Sequence, residues 1–188
     1  MNDKFINNST FKGINFTQKP IEKGEYEKCL FTNCIIPNLS NLIFIDCTFD
    51  ACDLSMANLT NTAFRNTIFK ECKLLGLHFD HCNQLLFSAS FNDCQLNLAS
   101  FYKCDLKVSS FKNCRLHEVD FAQAKLSGSL VENCDLSGAL FDRTDLQKAD
   151  FRKSFNFSID PENNRIHKAK FSTSELSGLL IKYNIEVD

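Results

Sequence analysis

The chain has 188 residues, 44% of them hydrophobic and 23% charged, and a formal net charge of −2 at pH 7. That composition suits one folded domain and excludes a disordered chain; no apolar run reaches the ~20 residues of a membrane span, and the charge balance is not the basic footprint of a nucleic-acid-binding protein. The unusual counts are 19 Phe, 10 Cys and no Trp, a bias that makes internal repeats the first thing to look for.

The N-terminal stretch is mixed and polar, without the apolar core of a signal peptide, so a cytoplasmic location is expected. Residues 1–10 read as a lead-in. From Phe11 every fifth residue is apolar: Phe11, Phe16, Ile21, Tyr26, Phe31 and Ile36. The series then shifts, since Ile36 to Leu39 is a step of three, and resumes as Leu39, Phe44, Phe49, Leu54, Leu59, Phe64, Phe69, Leu74 and Phe79. A second shift, the seven-residue step from Phe79 to Leu86, opens the last series, which runs every five residues from Leu86 to Phe151. Within it Phe91, Leu96, Phe101, Leu106, Phe111, Leu116 and Phe121 alternate Phe with Leu. The shifts, near 37–38 and 80–85, read as bulges or shortened corners, or as kinks that a partner recognises.

A helix face recurs every 3.6 residues and a strand face every 2. A period of five fits a chain that turns a corner every five residues, closing a square coil after about twenty; such coils stack ~4.8 Å apart through backbone hydrogen bonds. In that frame the strict Leu/Phe alternation puts Leu on two opposite faces and Phe on the other two.

Two residues before most centres the side chain is small. Nine of the ten cysteines fall there, Cys29, Cys34, Cys47, Cys52, Cys72, Cys94, Cys104, Cys114 and Cys134, and Cys82, inside the second shift, is read with them. They should point inward as small hydrophobes, with Cys94, Cys114 and Cys134, twenty apart, on one face. Stacked neighbours lie within disulfide reach, but a cytoplasmic location argues against bridges. Zinc needs about four converging ligands, commonly in close pairs, and no such pair occurs, so neither metal nor cofactor is expected. His78 and His81 should face outward while Cys82 faces inward, leaving them solvated and apart. No nucleophile–base pair or phosphate loop is visible, and a coil filled by its own side chains offers no catalytic pocket. The chain is therefore expected not to be an enzyme.

Charges read down one face, every twenty residues, are mixed: Asp105, Lys125 and Asp145 in one column, Lys112, Glu132 and Arg152 in another. No continuous phosphate-like stripe emerges, and direct contact with nucleic acid is not expected.

The repeat ends after about 153, and residues 154–188 read as a cap. Asp160-Pro161-Glu162-Asn163-Asn164 is a turn signal. Ser172 and Glu175 spell a capping box, with Phe171 and Leu176 as its hydrophobic staple, opening a helix over about 173–183. Leu176, Leu179, Leu180 and Tyr183 fall on one face of it, and Ile185 to Val187 reads as an extended tail. Such a helix can cover the open coil end, whose unpaired backbone invites aggregation, or cover it and also pair with a second copy.

The segments Cys-Asp-Leu-Ser-Met (52–56), Cys-Asp-Leu-Lys-Val (104–108), Cys-Asp-Leu-Ser-Gly (134–138) and Ala-Asp-Phe-Arg-Lys (149–153) resemble the A(D/N)LXX signature of the pentapeptide-repeat family, over about 11–153. The resemblance implies an all-β solenoid, the right-handed quadrilateral β-helix; at four repeats per coil it would have roughly seven coils and a length of about 35 Å. The run Asn-Phe-Ser-Ile-Asp-Pro-Glu-Asn-Asn-Arg-Ile (156–166), followed by a short helix, is similar to the microcin-immunity and quinolone-resistance (Qnr-like) branch. That likeness implies a dimeric rod, paired through the C-terminal helix, that engages DNA gyrase or topoisomerase IV and relieves their poisoning. The alternative is a protein-binding scaffold with no topoisomerase role.

Overall fold

The computed structural model describes residues 4–186. Its strands are short: β1 Lys4–Asn7, β2 Thr10–Lys12, β3 Gly24–Glu27, β4 Leu30–Thr32, β5 Ile43–Ile45, β6 Thr48–Asp50, β7 Ala63–Arg65, β8 Thr67–Lys70, β9 Ala89–Asn92, β10 Ser110–Lys112 and β11 Leu130–Glu132. They form a four-stranded sheet in the order β1-β3-β5-β7 and a seven-stranded sheet running from β2 to β11. Every pairing is parallel, each strand meeting the equivalent stretch one coil later. The remaining faces are joined by single bridges such as Gln95↔Arg115 and Asp105↔Lys125. The architecture is a right-handed quadrilateral β-helix.

Coil length follows the repeat. Phe11 pairs with Phe31, and Phe91 with Phe111, at twenty residues. Phe31 pairs with Phe49 at eighteen and Phe69 with Phe91 at twenty-two. The first shift thus removes two residues and the second restores them, and the ladder passes through both without losing phase.

The interior is a set of side-chain stacks. Phe11, Phe31, Phe49, Phe69, Phe91 and Phe111 lie face to face, with ring centroids 4.7–5.3 Å apart between neighbours. Phe79, Phe101, Phe121 and Phe141 form a second stack on the opposite face. Rings of the two stacks meet edge-on, as Phe101 does with Phe111 at 5.5 Å, the arrangement that the ring quadrupole favours. Leu96, Leu106 and Leu116 fill the other two faces and are fully buried. The expected Leu/Phe division of faces is present.

Corners explain the polar residues. Two residues after most centres the backbone is left-handed, as at Asn33, Asn61, Asn66, Asn113 and Asn133 and at Gly76, Gly128 and Gly138, which is why Asn, Asp and Gly recur there. Many corners are type II turns closed by an i→i+3 bond, for example Ala57 N–H to Leu54 C=O at 2.9 Å and Ala99 N–H to Leu96 C=O at 3.0 Å.

Three expectations are corrected. Leu86 is not a centre: it is 69% exposed in a left-handed turn, and Phe87, 4% exposed, takes the interior place. The lengthened coil moves the inward position by one residue, and Phe87 packs edge-on against Phe64 and Phe79. The coil also outruns 11–153. Residues 4–7 are a paired strand, not a lead-in, and bridges Asp135↔Phe155, Asp145↔Arg165 and Asp150↔Lys170 carry it almost to Phe171, which stacks on Phe151. The turn at 160–164 is itself a corner, because buried Asn164 donates to Phe141 C=O and accepts from Thr144 N–H. Finally, the terminal helix is 3₁₀, over Thr173–Leu179 and Ile181–Tyr183, and the expected tail residue Val187 lies outside the described residues.

Candidate functional site

At the C-terminal end the coil is closed by the 3₁₀ segment. Ser172 precedes it, but its side chain makes no cap bond. Its hydroxyl pairs with Ser174, and Glu175 accepts from the Asn156 backbone N–H. The expected capping box is therefore absent, because a 3₁₀ turn does not set its third residue back over the first N–H as an α-helix does. Closure rests instead on Gly178, the buried residue of the segment, whose carbonyl accepts from Ile159 N–H at 3.0 Å. A Cβ there would lie 2.4 Å from Phe157 O.

Of the expected apolar face, Phe171 and Leu179 pack on the core and Leu180 is half-buried. Leu176 and Tyr183 do not join them and are 44% and 48% exposed. Ile181, missed in the sequence, and Ile185, expected in an extended tail, are exposed as well. Tyr183 Oη donates to Glu162 at 2.7 Å, and Lys182 bridges Asp160 and Glu162, tying the segment to the last corner.

The long faces carry paired charge. Lys125 lies 3.8 Å from Asp105, and Arg165 lies 3.5 Å from Asp145 in the same column. A concavity of about 380 Å³ over Leu130 and Val131 is rimmed by Glu132, Asp150, Arg152 and Lys153. Those four are already matched as Lys153–Glu132 and Arg152–Asp150. Asp135 accepts hydrogen bonds from three different residues. Partial burial pushes its carboxyl up, but hydrogen bonds from Ser137, Asn156 and His117 outweigh that and hold it well below the usual range.

The cysteines are all free and buried. Cys94, Cys114 and Cys134 form the expected column, which continues back through Cys72, Cys52 and Cys34. The thiols are not mere filler. Cys34, Cys52, Cys72, Cys94 and Cys114 each donate to the carbonyl of the centre one coil earlier, at 3.3–3.4 Å. Thr62, Thr144 and Ser154 do the same at 2.8–2.9 Å. Burial pushes the Cys47 and Cys104 thiols up to about 12, so they remain protonated.

The second shift brings together residues expected to stay apart. Phe79–His81 is a 3₁₀ turn in place of a left-handed corner. Cys82 does face inward, but the His78 and His81 rings stack at 4.8 Å. Asp80 sits beside both, Oδ1 3.3 Å from His78 Nδ1 and Oδ2 3.7 Å from His81 Nε2. The outward-facing reading of each histidine alone could not show this, because it presumes the regular corner.

Comparison with known proteins bears on the whole coil. Residues 84–156 match the family model for the pentapeptide repeat region, and 38–70 and 47–83 match that for pentapeptide repeats. No curated protein sequence matches the chain. Among solved structures, a trypsin-treated form of QnrB1, a plasmid-mediated fluoroquinolone resistance protein, aligns with TM-score 0.60 and 21% identity, covering 97% of this chain and 99% of that one. Full-length QnrB1 aligns with TM-score 0.51 and 20% identity, covering 97% of this chain and all of the other. At that identity the likeness is one of fold.

Proposed function

The chain belongs to the pentapeptide-repeat family, and from that premise we propose that it is a non-enzymatic, cytoplasmic binding protein that pairs with a second copy and protects DNA gyrase or topoisomerase IV from poisons. The observation that carries this reading is the C-terminal closure. Gly178, Phe171 and Leu179 close the coil and Tyr183 ties the segment to Glu162, yet Leu176, Ile181 and Ile185 remain exposed in one short stretch. Apolar side chains left over after capping are the expected face of a homodimer. The QnrB1-like coil and the run 156–166 supply the partner class.

The test is a supercoiling assay with gyrase and ciprofloxacin, titrated with the purified protein. Rescue near stoichiometric protein supports the reading. Absence of both rescue and inhibition rejects it. Dimerisation is checked separately by sedimentation: Leu176→Asp combined with Ile181→Asp should give a monomer with an unchanged melting temperature. A variant that stays dimeric removes this surface from the proposal.

A second reading, a scaffold for another protein, is favoured by the charge columns. Asp105, Lys125, Asp145 and Arg165 alternate in sign and are largely paired, so the face presents no phosphate-like stripe. No effect on either topoisomerase, with capture of a different partner along this face, would select it.

A further inference from the structure

We propose that His78, Asp80 and His81 form a binding site for a first-row divalent cation that prefers nitrogen ligands, such as Zn²⁺. Their ligand atoms all lie within 4.8 Å of one another. Two imidazoles and one carboxylate are a recurrent donor set for such metals, with remaining positions open to water.

The backbone under the site is fixed on both sides. Phe79 N–H donates to Ser100 C=O, Asn61 N–H donates to His81 C=O, and Cys82 N–H closes the turn on Phe79 C=O. Gln84 Nε2 donates to the Phe79 and Cys82 carbonyls from within the same bulge. Phe79 is buried and stacks on Phe101 at 4.6 Å. Ligation therefore requires side-chain rotation only.

The turn type creates the cluster. In a 3₁₀ turn residues i and i+3 eclipse, which sets His78 and His81 on one side with Asp80 between them. In regular corners the residue equivalent to His78 is engaged by its own backbone, since Asn58 and Asp120 accept the N–H two residues on, from Thr60 and Ala122. His78 makes no such bond and faces Asp80. The carboxylate is the deepest of the three, its side chain 19% exposed against 54% and 56% for the histidines. Its Oδ1 has no hydrogen bond and no accessible surface despite the contact with His78 Nδ1, so the site holds one buried lone-pair donor and two exposed imidazoles.

The experiment is calorimetric titration of the chelator-treated full chain with Zn²⁺, together with the absorption spectrum of the Co²⁺ form. One equivalent should bind, and the Co²⁺ spectrum should lack the near-ultraviolet thiolate band. His81→Gln and Asp80→Asn should each weaken binding by more than the roughly 10–100-fold that loss of an outer-shell partner costs. His167→Gln, remote and exposed, should bind as the parent does. Melting temperatures establish that the variants are folded, and His81→Gln alters only an exposed side chain. Absence of binding, equal binding by the His81 and Asp80 variants, or a thiolate band would each overturn the proposal.

Discussion

The thiol of Cys114 donates to the carbonyl oxygen of Phe91, 3.4 Å away and one coil earlier, while the Phe111 ring stacks on that of Phe91 at 5.0 Å. Each coil is thus held to the next by a side-chain donor as well as by the ladder and the stack. Thr62, Thr144 and Ser154 occupy equivalent slots and make equivalent bonds, which identifies the slot as one for a small donor.

Cys114→Val keeps the volume class but leaves the Phe91 carbonyl without that donor. The carbonyl keeps its ladder N–H, so the loss should be about 0.5–1.5 kcal/mol, the net worth of one intramolecular hydrogen bond. Cys114→Ser should cost less, because a hydroxyl can donate as Ser154 does. Urea unfolding of both variants tests the order, and Val at least as stable as Ser would refute the role.

Phe111→Ala removes a fully buried ring from the middle of its stack. The loss should be roughly 3–5 kcal/mol, since the coils on either side hold the cavity open. Thermal unfolding measures it. An unchanged melting temperature would contradict this packing.

Gly178→Ala places a methyl group 2.4 Å from Phe157 O and 2.8–2.9 Å from its ring. Overpacking of this kind costs about 1–3 kcal/mol, and it should act locally. Hydrogen exchange at the Ile159 amide, bonded to Gly178 C=O, should accelerate while that at Phe101, bonded to Asp120 C=O, stays protected. Uniform acceleration would mean that the cap governs the whole coil.

Asp135 predicts the acid limb of stability. Burial raises its carboxyl, but Ser137, Asn156 and His117 together hold it well below its ordinary 3.8. A carboxylate depressed by folding contributes fully above its unfolded pKa and loses that contribution as pH falls through the folded value. The parent should therefore lose stability between about pH 5 and pH 2 more steeply than Asp135→Asn, with the variant the less stable at neutral pH. Parallel curves would show that other carboxylates dominate.

The sequence by itself determined the solenoid. A five-residue period of large apolar centres and small inward partners is incompatible with a helix or a flat strand, and the Phe/Leu alternation assigned the faces because like must stack on like. The placement of nine of the ten cysteines inside followed from the same phase, Cys82 lying within the second shift. The tertiary structure decided what departs from that phase. Phe87 displaces Leu86 because a lengthened coil changes which residue of the corner points inward. His78, Asp80 and His81 converge because that corner is 3₁₀, held by backbone bonds to Asn61 in the coil before and Ser100 in the coil after. The terminal segment likewise became a 3₁₀ closure on Gly178, since the space left above Phe157 admits a backbone but not a Cβ. Periodicity records what repeats from coil to coil; the individual corners are chosen by the particular coils they join.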